Sequence, residues 1–129
     1  MTASAELQGR RVLVVEDEFL VAMDIELMLG DIGCQVLGPI GDLPGALRAA
    51  QEEALDLALL DVNLAGEPVT AVAEALAARA VPFVFCTGYL ADDLPSRYPA
   101  APTLMKPFQA ADLRSALQRA VASAADRSP

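Results

Sequence analysis

The sequence contains no histidine. This excludes a Ser-His-Asp or Cys-His catalytic centre, a histidine-based metal site and a phosphohistidine carrier role for this chain. Lysine is nearly absent as well: Lys106 stands alone against eight arginines. A bias toward arginine codons would produce that scarcity, and the position that keeps lysine then suits a slim, mobile ammonium. The two cysteines, Cys34 and Cys86, lie in apolar runs without CxxC spacing. They are expected to fill core space rather than bind metal or pair. No apolar run reaches the ~18 residues of a membrane span. The start, MTASAELQGRR, lacks the basic-then-apolar order of a signal peptide, so a cytoplasmic location is expected. Neither GxGxxG nor GxxxxGK[ST] occurs, which argues against a dinucleotide or P-loop site. A net charge of −9 repels nucleic acid phosphates.

The 129 residues, 54% hydrophobic, suffice for one packed domain. Arg11–Val15 is a short β-branched apolar run, read as a strand buried on both faces. Phe19, Leu20, Met23, Leu27 and Met28 then recur at helical spacing, and Gly30 and Gly33 suit the helix end. Cys34–Leu37 reads as a second strand, closed by Gly38-Pro39. Asp42 can cap a helix to about Glu53. Leu57–Leu60 is a third buried strand, ending at Asp61. The loop Val62–Gly66 leads to an alanine-rich helix over roughly Pro68–Arg79. Phe83–Cys86 is a fourth strand, ending at Thr87-Gly88, and Thr103–Met105 a fifth, ending at Lys106-Pro107. Ala110–Ala122 is an amphipathic helix. Between the last two strands, Pro95 and Pro99 obstruct a regular helix, so residues 89–101 are expected to form a mobile element. Residues 1–8 and 123–129 read as tails around a domain spanning 9–122.

Strands alternating with helices imply a parallel sheet covered on both faces. Ligands of such sheets bind outside the carboxyl ends of the strands. Four predicted strands end in chemically capable residues: Glu16-Asp17, Asp61, Thr87 and Lys106. Each has a plainer reading alone. Glu16, Asp17 and Glu18 could complement a helix dipole, Asp61 and Thr87-Gly88 could be turns, and Lys106 a surface charge. Their coincidence at one sheet edge favours a site. Converging carboxylates resist joint ionisation, and a hard divalent cation with all-oxygen ligation, Mg2+ or Mn2+, relieves that.

The segments VLVVEDE, LLDVNLAGE, FCTGY and MKPF resemble the signature segments of bacterial response-regulator receiver domains. The resemblance covers about residues 9–122. It implies a flavodoxin-like (βα)5 fold with sheet order 2-1-3-4-5, here with a short or irregular fourth helix. It implies Asp61 as phosphoacceptor, and a metal site of Asp17, Asp61, the Asn63 carbonyl and, through water, Glu16. Thr87 and Lys106 would hold the phosphoryl group, and Lys106-Pro107 would be cis. Phe85-Cys86-Thr87-Gly88-Tyr89 is similar to a Phe-Ala-Thr-Gly subgroup that includes single-domain regulators and receivers of general stress signalling. The usual aromatic switch position is here Thr103.

On this resemblance the chain is a non-enzymatic, stand-alone response regulator. Its partners would be a histidine kinase or phosphotransfer protein and a downstream protein, unless it serves as a phosphate sink. Tyr89, two residues past Thr87, could shield the phosphoryl group or simply be exposed. Two rivals are a pseudo-receiver binding module, opposed by the complete residue set, and an aspartyl phosphohydrolase, opposed by Asp61-Val62-Asn63 in place of Asp-x-Asp.

Overall fold

The computed structural model describes residues 5–88 and 94–126. Five parallel strands form the main sheet: β1 (Arg11–Val15), β2 (Gln35–Ile40), β3 (Leu57–Asp61), β6 (Phe83–Thr87) and β7 (Thr103–Met105). Their spatial order is β2-β1-β3-β6-β7, the expected 2-1-3-4-5 arrangement. The helices are α1 (Phe19–Ile32), α2 (Leu43–Glu52), α3 (Thr70–Ala78) and α4 (Ala110–Asp126). Alternate residues of each strand serve opposite faces. Leu13, Val15, Leu60 and Phe85 pack with α2 and α3 residues, whereas Val12, Val14, Leu59 and Val84 pack with α1 and α4. This is a doubly wound, flavodoxin-like sheet.

Local chemistry sets the element ends. Gly33 closes α1 at φ 102°, and its N–H donates to Leu29 and Gly30. The Asp42 carboxylate accepts from Gly45 N at 2.8 Å and starts α2. The expected loop at 62–66 is instead a small hairpin of β4 (Asn63–Leu64) and β5 (Glu67–Pro68). Ala65 and Gly66 both take positive φ, as a two-residue hairpin turn requires. An alanine in that conformation gives no sequence signal.

Four expectations need correction. The second strand does not stop at Leu37. It runs through Gly38-Pro39, whose peptide is cis like Lys106-Pro107. An edge strand tolerates proline, and a Cβ at Gly38 would come within 2.8 Å of Val14 O. Residues 5–8 are not a tail. Ala5–Leu7 form a 3-10 turn, Leu7 is fully buried and Gly9 N donates to Gly33 O. A single apolar residue among polar ones carries no periodicity. At the other end, α4 continues through 123–126.

The fourth correction concerns α1. Its core face is Ala22, Ile25, Leu29 and Ile32, whereas Phe19, Leu20, Met23 and Leu27 are 74%, 75%, 42% and 67% exposed. The helix is apolar nearly all round, so spacing alone cannot tell which stripe faces inward.

In the described part of the β6–β7 connection the regular element is a 3-10 helix, Leu94–Arg97. The expected irregular fourth helix is therefore seen, but its described half is anchored. Leu94 is buried, and the Tyr98 ring packs edge-on against Phe83 at 5.3 Å. Tyr89 and the rest of residues 89–93 lie outside the described residues.

Candidate functional site

The carboxyl ends of β1, β3, β6 and β7 open onto one cavity of about 590 Å³. Parallel register brings them level: Val15 pairs with Leu60, Asp61 with Cys86 and Thr87 with Met105. Lys106 N donates to Thr87 O at 2.9 Å, which fixes the base of the lysine. Among the described residues, Glu16, Asp61 and Thr87 are the buried polar side chains.

Lys106 organises the acids. Its Nζ lies 2.9 Å from Glu16 Oε1, 3.2 Å from Asp61 Oδ2 and 3.5 Å from Glu18 Oε1. Asp17, Asn63 and Thr87 line the same cavity. Asn63 N donates to Asp61 Oδ1 at 3.3 Å, and Glu18 N to Glu16 Oε2 at 3.1 Å. The structure thus brings together Glu16, Asp17, Asp61, Asn63, Thr87 and Lys106, all named from the sequence. It adds Glu18, which sequence reading took as a helix-dipole acid. The three-acid run Glu16-Asp17-Glu18 was the available signal. Thr103 is exposed at the start of β7, opposite Phe85 in register. The aromatic of this region is Tyr98, packed against Phe83 and Phe85.

The Lys106 ammonium faces Glu16, Glu18 and Asp61 here, and burial and neighbouring charge shift the titration of Asp61 and of Lys106 itself. Burial, then the Glu16 charge, pushes the Asp61 carboxyl up to about 6, against the pull of Lys106. Burial alone would lower the Lys106 ammonium, but Glu16 and Asp61 hold it above the ordinary lysine value. Burial likewise raises the Cys86 thiol, behind Asp61, so it is protonated and inert.

The residues present fit a hard divalent cation. Carboxylate oxygens of Glu16, Glu18 and Asp61 lie within 4.8 Å of one another. Buried Glu16 Oε1 has Lys106 close by but no hydrogen-bond partner of good geometry. The donors are all oxygens, as Mg2+ prefers. Asp17, expected as a direct ligand, is exposed on the cavity wall and is not in that three-oxygen group.

The doubly wound sheet, with acids and a lysine at its carboxyl edge, places the chain among flavodoxin-like α/β proteins. Within that class, residues 12–118 match the response regulator receiver domain, and the chain belongs to that family of two-component signalling domains. It is 35% identical over 116 residues to the transcriptional regulatory protein PdtaR of Mycobacterium tuberculosis, covering 87% of this chain and 57% of that protein. The chain thus spans little more than half of that relative. The solution structure of SdrG from Sphingomonas melonis Fr1 is 42% identical, with a TM-score of 0.79 over 88% of this chain and 97% of that one. The receiver domain of sensor histidine kinase PA1611 from Pseudomonas aeruginosa is 30% identical, with a TM-score of 0.75 over 88% and 98%. That structure has magnesium coordinated in its active site cleft. Among the described residues, no helix is long and apolar enough to cross a membrane.

Proposed function

We propose that Asp61 accepts a phosphoryl group from the phosphohistidine of a histidine kinase or phosphotransfer protein, and that the acyl phosphate alters the contacts of this cytoplasmic domain with a downstream protein. The observation that carries this reading is the Lys106 ammonium 3.2 Å from a buried Asp61 oxygen in an acid-walled cavity. An Asp61 oxygen attacks phosphorus in line as the phosphorus–nitrogen bond to imidazole breaks, and the imidazole nitrogen keeps that electron pair. Lys106 and Thr87 stabilise charge on the equatorial oxygens.

Asp17, Asp61, the Asn63 carbonyl and, through water, Glu16 would hold Mg2+, with Mn2+ as a substitute. When bound, the ion would supply positive charge to neutralise these acids and the incoming phosphoryl oxygens. Lys106 pairs with Glu16, Glu18 and Asp61 but not with Asp17, so Asp17 can turn to a cation without first breaking an ion pair to the lysine. No second acid follows Asp61 at the position a phosphohydrolase would use, which supports a signalling role over turnover. Slow autodephosphorylation is the expected end of each cycle.

The exposed α1 stripe supports a message-carrying protein over a pure phosphate sink. Phe19, Leu20, Met23 and Leu27 form an apolar face that begins one residue past Glu18, at the cavity mouth. The test is intact mass after incubation with acetyl phosphate and Mg2+. Wild type should gain one phosphoryl group and Asp61→Asn none, with unchanged circular dichroism. Equal labelling of D61N, or none of wild type, would overturn the reading in favour of another acceptor or a pseudo-receiver.

A further inference from the structure

The opposite, N-terminal edge of the sheet carries a second concavity that the phosphoacceptor chemistry does not use. It is a cleft of about 850 Å³ between the ends of α3 and α4 and the segment before β7. Its body is apolar, with Phe83, the Tyr98 ring and Val121 among small alanine side chains. The alanine side chains of its wall, Ala77, Ala80, Ala100, Ala101, Ala120 and Ala124, take up little of its volume.

The charge at its rim runs against that of the molecule. The chain carries −9 overall, yet the cleft is lined by Arg10, Arg79 and Arg97 against one acid, Asp56. Asp56 Oδ2 already accepts from Arg11 N at 2.9 Å. Arg79 is held in place by donating to Ala50 O at 2.6 Å and Glu53 O at 2.8 Å. Arg10 Nε donates to Glu6 O at 2.7 Å. Two of the three cations are therefore fixed before anything binds, which lowers the ordering cost of binding. Small-molecule sites are typically ~300–1,000 Å³, mostly apolar, with a few placed polar groups. This cleft has that form, and its polar groups are cations.

We propose that this cleft binds an amphipathic organic anion, with an aromatic or acyl body against Phe83, Tyr98 and Val121 and an acidic head on the arginine rim. The site lies outside the phosphoryl-accepting cavity, so its test is independent of that function. The probe is 1-anilinonaphthalene-8-sulfonate, with the uncharged N-phenyl-1-naphthylamine as its counterpart, followed by amide chemical shifts on the full chain. The sulfonate should perturb Val81, Phe83, Ala101 and Val121, and bind about tenfold more tightly than the neutral compound. Arg97 is exposed, so Arg97→Gln should fold normally and weaken sulfonate binding about fivefold, while Arg97→Lys restores most of it. Perturbation confined to α1, equal affinity for both compounds, or an unchanged R97Q would each overturn the proposal.

Discussion

Lys106 is where the scarcity of lysine acquires a physical reason. Three carboxylates lie within 3.5 Å of its Nζ. A compact ammonium can serve all three, whereas a planar guanidinium distributes its donors in one plane. Neighbouring acids of the 16–18 run differ in their surroundings. Glu16 is buried against the lysine, while Asp17 stands exposed on the wall. Asp17→Asn should therefore weaken Mg2+ binding more than Glu16→Gln, because Asp17 is the proposed direct ligand and removing Glu16 chiefly releases the lysine. Isothermal titration at neutral pH measures the order. The reverse order would make Glu16 or the neighbouring Glu18 the principal ligand.

At the scale of elements, strands were more legible than faces. The central strands β1, β3 and β6 are legible as apolar runs, because burial on both faces leaves little room for polar residues inside them, whereas the edge strands β2 and β7 are partly exposed. The site followed, since strand ends in a doubly wound sheet converge by topology. The inward face of α1 was not legible, because both its stripes are apolar and only the packed structure separates Ile25 from Leu27. Leu7 was hidden for the opposite reason, as one apolar residue with no pattern around it. On the proposed function, the exposed α1 stripe carries a prediction. Leu20→Ser with Leu27→Ser should leave phosphorylation by acetyl phosphate within about twofold, yet slow transfer from a phosphorylated donor protein. Equal slowing with both donors would mean that the stripe supports the fold or the cavity.

In the described part of the β6–β7 connection, one aromatic side chain anchors the short 3-10 helix to the sheet. That part is held by the Tyr98 N to Pro95 O and Ala101 N to Tyr98 O bonds and by rings on Phe83 and Phe85. Over the described residues 94–101 the prolines leave only a short 3-10 helix, but proline content says nothing of packing. Tyr98→Ala should cost roughly 2–3 kcal/mol. It should also raise hydrogen exchange across 94–101 while residues 11–15 stay protected. Unchanged exchange at 94–101 would mean that the backbone turns alone hold the segment.

For the whole molecule, acid crowding in the cavity should link folding to pH and, on the proposed function, to Mg2+. The Asp61 carboxyl is raised from 3.8 to about 6 in the folded, ion-free chain. The folded state therefore holds this proton more tightly than the unfolded state. Its contribution to stability is fully present below about 3.8 and is lost as pH rises through about 6. The loss is on the order of 3 kcal/mol before solvent screening reduces it. Metal-free protein should thus have a falling contribution from this group between pH 4 and 7, and Asp61→Asn should flatten it. Mg2+ changes the sign of the local balance, since a cation favours the ionised carboxylate. Added Mg2+ should therefore raise the urea midpoint more at pH 7.5 than at pH 5. The increment at pH 7.5 should shrink in both the Asp17 and Asp61 variants. If Mg2+ stabilised the wild type equally at both pH values, Asp61 ionisation would not be coupled to the metal. The acids of this edge would then act as a screened surface cluster and not as a site.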